Sequence, residues 1–95
     1  MDCCYIIYSK NADRYYVGSC QDFESRLANH NAGTYGKTSY TSFTNDWELF
    51  LKINTSTFSH ARRMELKIKK MKSRAFIINL KKYPELVEKI RRESI

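Results

Sequence analysis

The chain has 95 residues and a formal net charge of +7, with 42% hydrophobic and 14% aromatic residues. That is one domain with enough apolar material for a single core without metal or disulfide staples, so disorder and a multidomain assembly are excluded. No apolar run approaches the ~20 residues of a membrane span, and Met1-Asp2-Cys3-Cys4 lacks the basic start of a secretory leader; a cytoplasmic protein is expected.

Cys3 to Tyr8 is small, β-branched or aromatic throughout and reads as a strand. Ser9 to Arg14 supplies turn residues, and Tyr15 to Ser19 forms a second short strand, which makes an antiparallel hairpin. Strand periodicity puts Tyr5 and Ile7 on one face, Cys4, Ile6 and Tyr8 on the other, and Tyr16 with Gly18 on a shared face. Asp22 is suited to cap a helix from Phe23 to about Asn31, with Gly33 as its stop. Phe23, Leu27 and His30 lie along one stripe of that helix, and Arg26 sits one turn before His30.

Thr34 to Asp46 is rich in Thr, Ser, Gly and Asn, has no apolar period and reads as a loop of a length that usually either has a function or is mobile. Its Lys37, Thr38 and Thr41 are candidates for touching a sugar-phosphate chain, and Tyr35 and Tyr40, like Tyr15, for stacking on bases. Trp47, Leu49, Leu51 and Ile53 alternate with Glu48, Phe50 and Lys52 as in a half-buried third strand, with Trp47 in the core. Ser59 is expected to cap a helix reaching Lys72, whose apolar stripe is Ala61, Met64, Ile68 and Met71. Ser73 starts a further helical turn, and Pro84 opens a last short helix carrying Leu86, Val87 and Ile90. The expected fold is α+β, a three-stranded antiparallel sheet flanked by helices in the order β-β-α-β-α-α. Residues 1–82 form the domain, and 83–95 a short helix packed on it or extending from it.

The charge is concentrated. Nine of the basic residues lie between His60 and Lys82 with one acid, Glu65, which is +8 there against −1 for the rest of the chain. A face this basic suits a polyanion, most simply a nucleic-acid backbone, with Arg62, Lys69, Lys70 and Lys72 as contacts. Glu65 borders the apolar stripe beside Met64 and Ile68, so it can face inward. Two roles stand side by side for it: an ion-pair partner of Lys69 or Arg62, or the carboxylate of a Mg²⁺ site completed by water and phosphate oxygens. Arg26 has the planar fork that grips a phosphate, or pairs with Asp22 or Glu24. The tyrosines Tyr5 and Tyr16 are equally ordinary cross-strand aromatics. Cys3, Cys4 and Cys20 form no CxxC pair, and with His30 and His60 they have no zinc-finger spacing, so reduced thiols are expected.

Taken in order, Cys4-Tyr5, Tyr16-Val17-Gly18, Phe23-x-x-Arg26-Leu27-x-x-His30-Asn31, Trp47-Glu48-Leu49 and Ala61-Arg62-x-x-Glu65 resemble the GIY-YIG nuclease family, in particular its small stand-alone members. The resemblance covers roughly residues 3–80. It implies a Mg²⁺- or Mn²⁺-dependent endonuclease that hydrolyses phosphodiester bonds in DNA, in which Tyr5, Tyr16, Arg26, His30 and Glu65 are catalytic. By that resemblance Arg26 holds the scissile phosphate, Glu65 the metal, and Tyr16 orients the phosphate. Phenols ordinarily keep their proton to about pH 10, so Tyr5 as general base needs His30 as its proton acceptor. Gly18 fits a position of close approach by backbone or phosphate. Two positions depart from the family pattern: Cys3 stands where the name has glycine and Cys4 where Ile or Val is usual, while Asn79 matches the family's late asparagine only loosely.

With no separate recognition domain expected, sequence specificity should be low, the target being chosen by nucleic-acid structure or a protein partner, as in repair or recombination. The rival is a nucleic-acid-binding module of the same fold that cuts weakly or not at all. A third reading is a protein adaptor using an exposed patch of Leu86, Val87 and Ile90.

Overall fold

The computed structural model describes residues 1–32 and 44–95. The loop candidates Tyr35, Lys37, Thr38, Tyr40 and Thr41, and the helix stop Gly33, lie outside the described residues. In chain order the elements are β1 (Cys3–Ser9), β2 (Arg14–Cys20), α1 (Phe23–Ala32), β3 (Trp47–Asn54), α2 (Phe58–Met71), α3 (Arg74–Lys82) and α4 (Pro84–Glu93). The expected α+β architecture is present. One helix more follows β3 than the outline of two, because the turn expected at Ser73 continues for nine residues.

The sheet is antiparallel with β1 in the middle, order β2-β1-β3. As strand periodicity requires, β1 has one row of side chains on each face. Cys4 and Ile6 join Ala61, Met64 and Ile68 of α2, with Leu80 of α3 and Ile90 of α4, in the larger core. Cys3, Tyr5 and Ile7 join Cys20, Phe23 of α1 and Trp47 in a smaller core on the opposite face. The departures Cys3 and Cys4 are thus accommodated: both are fully buried, and Cys3 lies opposite Cys20 with sulfur atoms 3.7 Å apart.

The clean alternation expected of β3 is broken. Ile6 pairs with Leu51 but Ile7 with Leu49, so Phe50 is an inserted residue. A bulge of this kind switches the face of everything beyond it. Trp47 consequently packs on the α1 side, whereas Leu51 and Ile53 pack on the α2 side. Leu49 is half exposed.

Asp22 caps α1, its Oδ1 accepting the Ser25 amide at 3.3 Å. Helix α2 begins earlier than expected: Thr57, not Ser59, is the cap, its hydroxyl accepting the His60 amide at 3.1 Å. Met71 is half exposed and leaves the stripe, whereas Glu65 joins the buried face. Ser73 caps α3 through the Phe76 amide. Pro84 stands at the start of α4, whose Ile90 is buried in the larger core while Leu86 and Val87 pack against it. The apolar patch of the adaptor reading is therefore a face of the core and not an exposed surface.

Candidate active site

Tyr5 sits at the centre of the α1 face. Its hydroxyl lies 2.9 Å from Nε2 of His30, and both side chains are buried. The hairpin register sets Tyr5 opposite Gly18. A Cβ added to Gly18 would fall 2.5 Å from Cζ of Tyr5, closer than real atoms approach. Glycine is required there because the Tyr5 ring lies across the neighbouring strand. The close approach anticipated for Gly18 is thus made by a side chain of the protein itself.

Tyr16, two residues before Gly18 on the same face of β2, completes an aromatic triangle. Its ring centroid is 6.5 Å from that of Tyr5 and 5.2 Å from that of His30. Tyr16 is half-buried, unlike Tyr5, which is 1% exposed. His30 is brought in by the stripe of α1, one turn after Arg26. Burial, and then the Arg26 charge, lower its pKa to about 4, so the imidazole is neutral at physiological pH. Arg26 is itself half-buried and lines a 610 Å³ recess with Cys20, Asp22, Asn29 and Phe58.

Glu65 approaches from α2. It is 3% exposed, turned inward as its position at the edge of the stripe suggested. Oε1 accepts the Ser19 hydroxyl at 2.6 Å, while Oε2 accepts Lys69 Nζ at 2.6 Å and Arg62 Nη1 at 2.8 Å. Both ion pairs expected of this carboxylate are made at once. Burial raises its pKa, but the hydrogen bonds from Lys69, Ser19 and Arg62 outweigh that and hold the carboxyl below its ordinary range. Lys69 links the two halves of the site, because its ammonium also lies 5.3 Å from the centre of the Tyr16 ring. The carboxylate and the aromatic triangle thus meet at the free edge of β2.

Two residues to which the sequence reading gave no role at the site matter here. Ser19 orients Glu65, and its signal was its place directly after Gly18, on the opposite face of β2. Asn31 holds the start of β3: its Oδ1 accepts the Trp47 amide at 2.7 Å and its Nδ2 donates to the Trp47 carbonyl at 3.0 Å. Among the other candidates, Arg62, Lys69, Lys70 and Lys72 are exposed along α2 and its C-terminal cap. Asn79 is exposed on α3.

Among the described residues no three His, Cys, Asp or Glu side chains cluster as a metal cage. Glu65 is the single carboxylate of the site as described. That suits a Mg²⁺-type ion, which takes one or two carboxylates and completes its shell with water and phosphate oxygens. No described helix is long and apolar enough to cross a membrane.

The family model of the GIY-YIG catalytic domain matches residues 1–82. No curated protein and no solved structure matches the chain significantly.

Proposed function

Because the chain belongs to the GIY-YIG catalytic domain family, whose fold is of nuclease type, we propose that it is a metal-dependent endonuclease hydrolysing phosphodiester bonds in DNA with low sequence specificity. The observation that carries this reading is the 2.9 Å contact between the Tyr5 hydroxyl and a neutral His30. On this reading the neutral imidazole is the proton acceptor behind a phenol, beside an arginine and at the edge of a basic face.

In this reading Arg26 binds the scissile phosphate through its guanidinium fork. Tyr16, the more accessible tyrosine, orients that phosphate. The attacking water gives its proton to the Tyr5 oxygen as the Tyr5 proton passes to His30 Nε2. Tyr5 is 1% exposed, so this reading requires substrate binding to open its oxygen to the attacking water. Arg26 couples binding to this transfer. Its charge is one of the two causes that depress the His30 pKa, and a bound phosphate neutralises that charge, so His30 becomes a better base when substrate is present.

Glu65 would hold Mg²⁺ or Mn²⁺, with Ser19 keeping Oε1 in place. When bound, the ion supplies charge neutralisation at the phosphate and support for the leaving oxygen. Lys69 and Arg62, long chains with exposed stems, would then turn from Oε2 to the nucleic-acid backbone together with Lys70 and Lys72. Such contacts position a strand without reading its sequence, so branched or nicked structure, or a protein partner, would choose the target in repair or recombination.

The test is cleavage of linear, nicked and branched DNA with Mg²⁺. Wild-type protein should cut, and Glu65→Gln and Arg26→Ala should each lose at least about 100-fold, the scale of a lost transition-state contact. No cleavage of any substrate, with wild type indistinguishable from Glu65→Gln, would refute the enzyme. A second reading, a binding module that does not cut, is favoured by the engagement of both Glu65 oxygens with protein donors. It predicts that calorimetric titration with Mg²⁺ gives no heat that Glu65→Gln abolishes.

A further inference from the structure

An open groove of about 890 Å³ runs along the α2 side of β2, from Tyr16 and Lys69 to the turn that joins β1 and β2. Its floor is apolar, Val17, Ile68 and Ile77, and its rims carry Arg14, Lys69, Lys72 and Arg74. The single acid there, Asp13, is taken up by Arg74 and Tyr8. Arg14 and Lys72 are exposed and make no ion pair among the described residues.

The backbone of the rims is also unusual. Asp13 and Lys72 are the two described residues other than glycine with positive φ, at 53° and 48°, and both line this groove. Lys72 is the αL cap of α2, a place where glycine is normally preferred. A lysine held at that cost, with its ammonium unpaired, is what a contact with an outside anion would explain.

We propose that this groove binds phosphates of the nucleic-acid strand that continues from the scissile phosphate, with Arg14 on the hairpin rim and Lys72 on the helical rim. The proposal rests on the endonuclease reading for its substrate class. The groove opens beside Tyr16 and Lys69, so a strand seated at the catalytic centre has a cationic channel on one side. Arg74 lies over the Tyr15 ring, 5.2 Å from its centroid, and Tyr8 and Phe50 pack against the same ring with centroids 4.7 and 5.0 Å away. The groove therefore offers charge for a backbone in place of a stacking platform for bases.

The experiment measures fluorescence anisotropy of a labelled DNA duplex with the full chain in metal-free buffer, across about 50–200 mM salt. Arg14→Gln with Lys72→Gly is compared with Lys89→Gln with Arg92→Gln, an equal loss of charge on exposed α4. The groove pair should flatten the dependence of log affinity on log salt by about 2 and weaken binding roughly ten-fold or more, at about 0.9 per lost phosphate contact. The α4 pair should leave the slope unchanged.

Lys72→Gly alone separates binding from folding. It should raise the urea midpoint, because glycine relaxes the αL cap, while lowering the slope by about 1. An unchanged slope in the groove variants, or an equal change in the α4 pair, overturns the groove. Mg²⁺ cleavage by wild type is scored in parallel: cutting with an unchanged slope refutes the groove alone. A flattened slope without cutting upholds the groove and refutes the nuclease reading.

Discussion

Asn31 bonds both the amide and the carbonyl of Trp47 at the start of β3, an edge strand. Trp47 is 2% exposed, so water is a poor replacement. Asn31→Ala should therefore cost about 2–3 kcal/mol, the penalty of a buried amide and carbonyl left unpaired, read as a lower urea midpoint with little change in the m-value. Asn31→Asp keeps the acceptor and loses the donor, and should fall between. A loss below about 0.5 kcal/mol for Asn31→Ala would show that the clamp contributes nothing.

His30 makes a sharper claim at the same scale. Its pKa, depressed to about 4 by burial and then by Arg26, lies below the ordinary histidine value of about 6.5. Between those values the unfolded chain binds a proton that the folded one refuses. Stability from this group is thus complete above about pH 6.5 and is lost as pH falls toward 4, by on the order of 2–3 kcal/mol. Ring-resonance NMR should show one histidine without a transition near pH 6.5. Arg26→Gln should shift its midpoint upward, and a midpoint unmoved by that change would refute the coupling proposed between phosphate binding and proton transfer.

At the scale of elements, α2 depends on a cap that the serine-rich run Ser56 to Ser59 obscured. Thr57 is the residue with extended backbone and a hydroxyl on the His60 amide, while Ser59 lies inside the helix. Thr57→Ala should cost about 1 kcal/mol and Ser59→Ala close to nothing, measured by chemical denaturation. Thr57 and Ser59 are both small hydroxyl residues, and only backbone geometry separates a cap from a residue inside the first turn. The bulge at Phe50 is a similar case. An unbroken apolar alternation from Trp47 to Ile53 implies one buried face, yet the two cores need Trp47 and Ile53 on opposite faces. One inserted residue reconciles them.

At the scale of the whole molecule, the C-terminal helix is part of the body that carries the site. Ile90 fills the larger core, Lys67 of α2 pairs with Glu93 at 2.9 Å, and Arg91 donates to the Asn54 carbonyl at 2.7 Å. Ile90→Ala should cost about 2–5 kcal/mol through the cavity it leaves. Ile95→Ala, at a side chain 85% exposed, should be neutral in the same denaturation. An Ile90→Ala protein as stable as wild type would show instead that α4 merely extends from the domain.

The sequence by itself determined the order of the first four elements, the two faces of β1 and the basic segment around Glu65. It did so because strand and helix periods, turn residues and charge runs are local properties. It also placed Tyr5, Tyr16, Arg26, His30 and Glu65 on their elements, since spacing along a chain carries that much. What only the tertiary structure decided are relations between elements: the Tyr5 ring across Gly18, Ser19 on Glu65, Asn31 on Trp47, the register shift at Phe50 and the groove between Arg14 and Lys72. Each depends on how strands align and where a helix lands, set by burial summed over both cores and by distances between residues far apart in sequence. The +7 of the composition belongs to both accounts. Its concentration in one segment is legible in the chain, but only the fold shows that Arg62 and Lys69 close on Glu65 while Arg14 and Lys72 stay open to solvent.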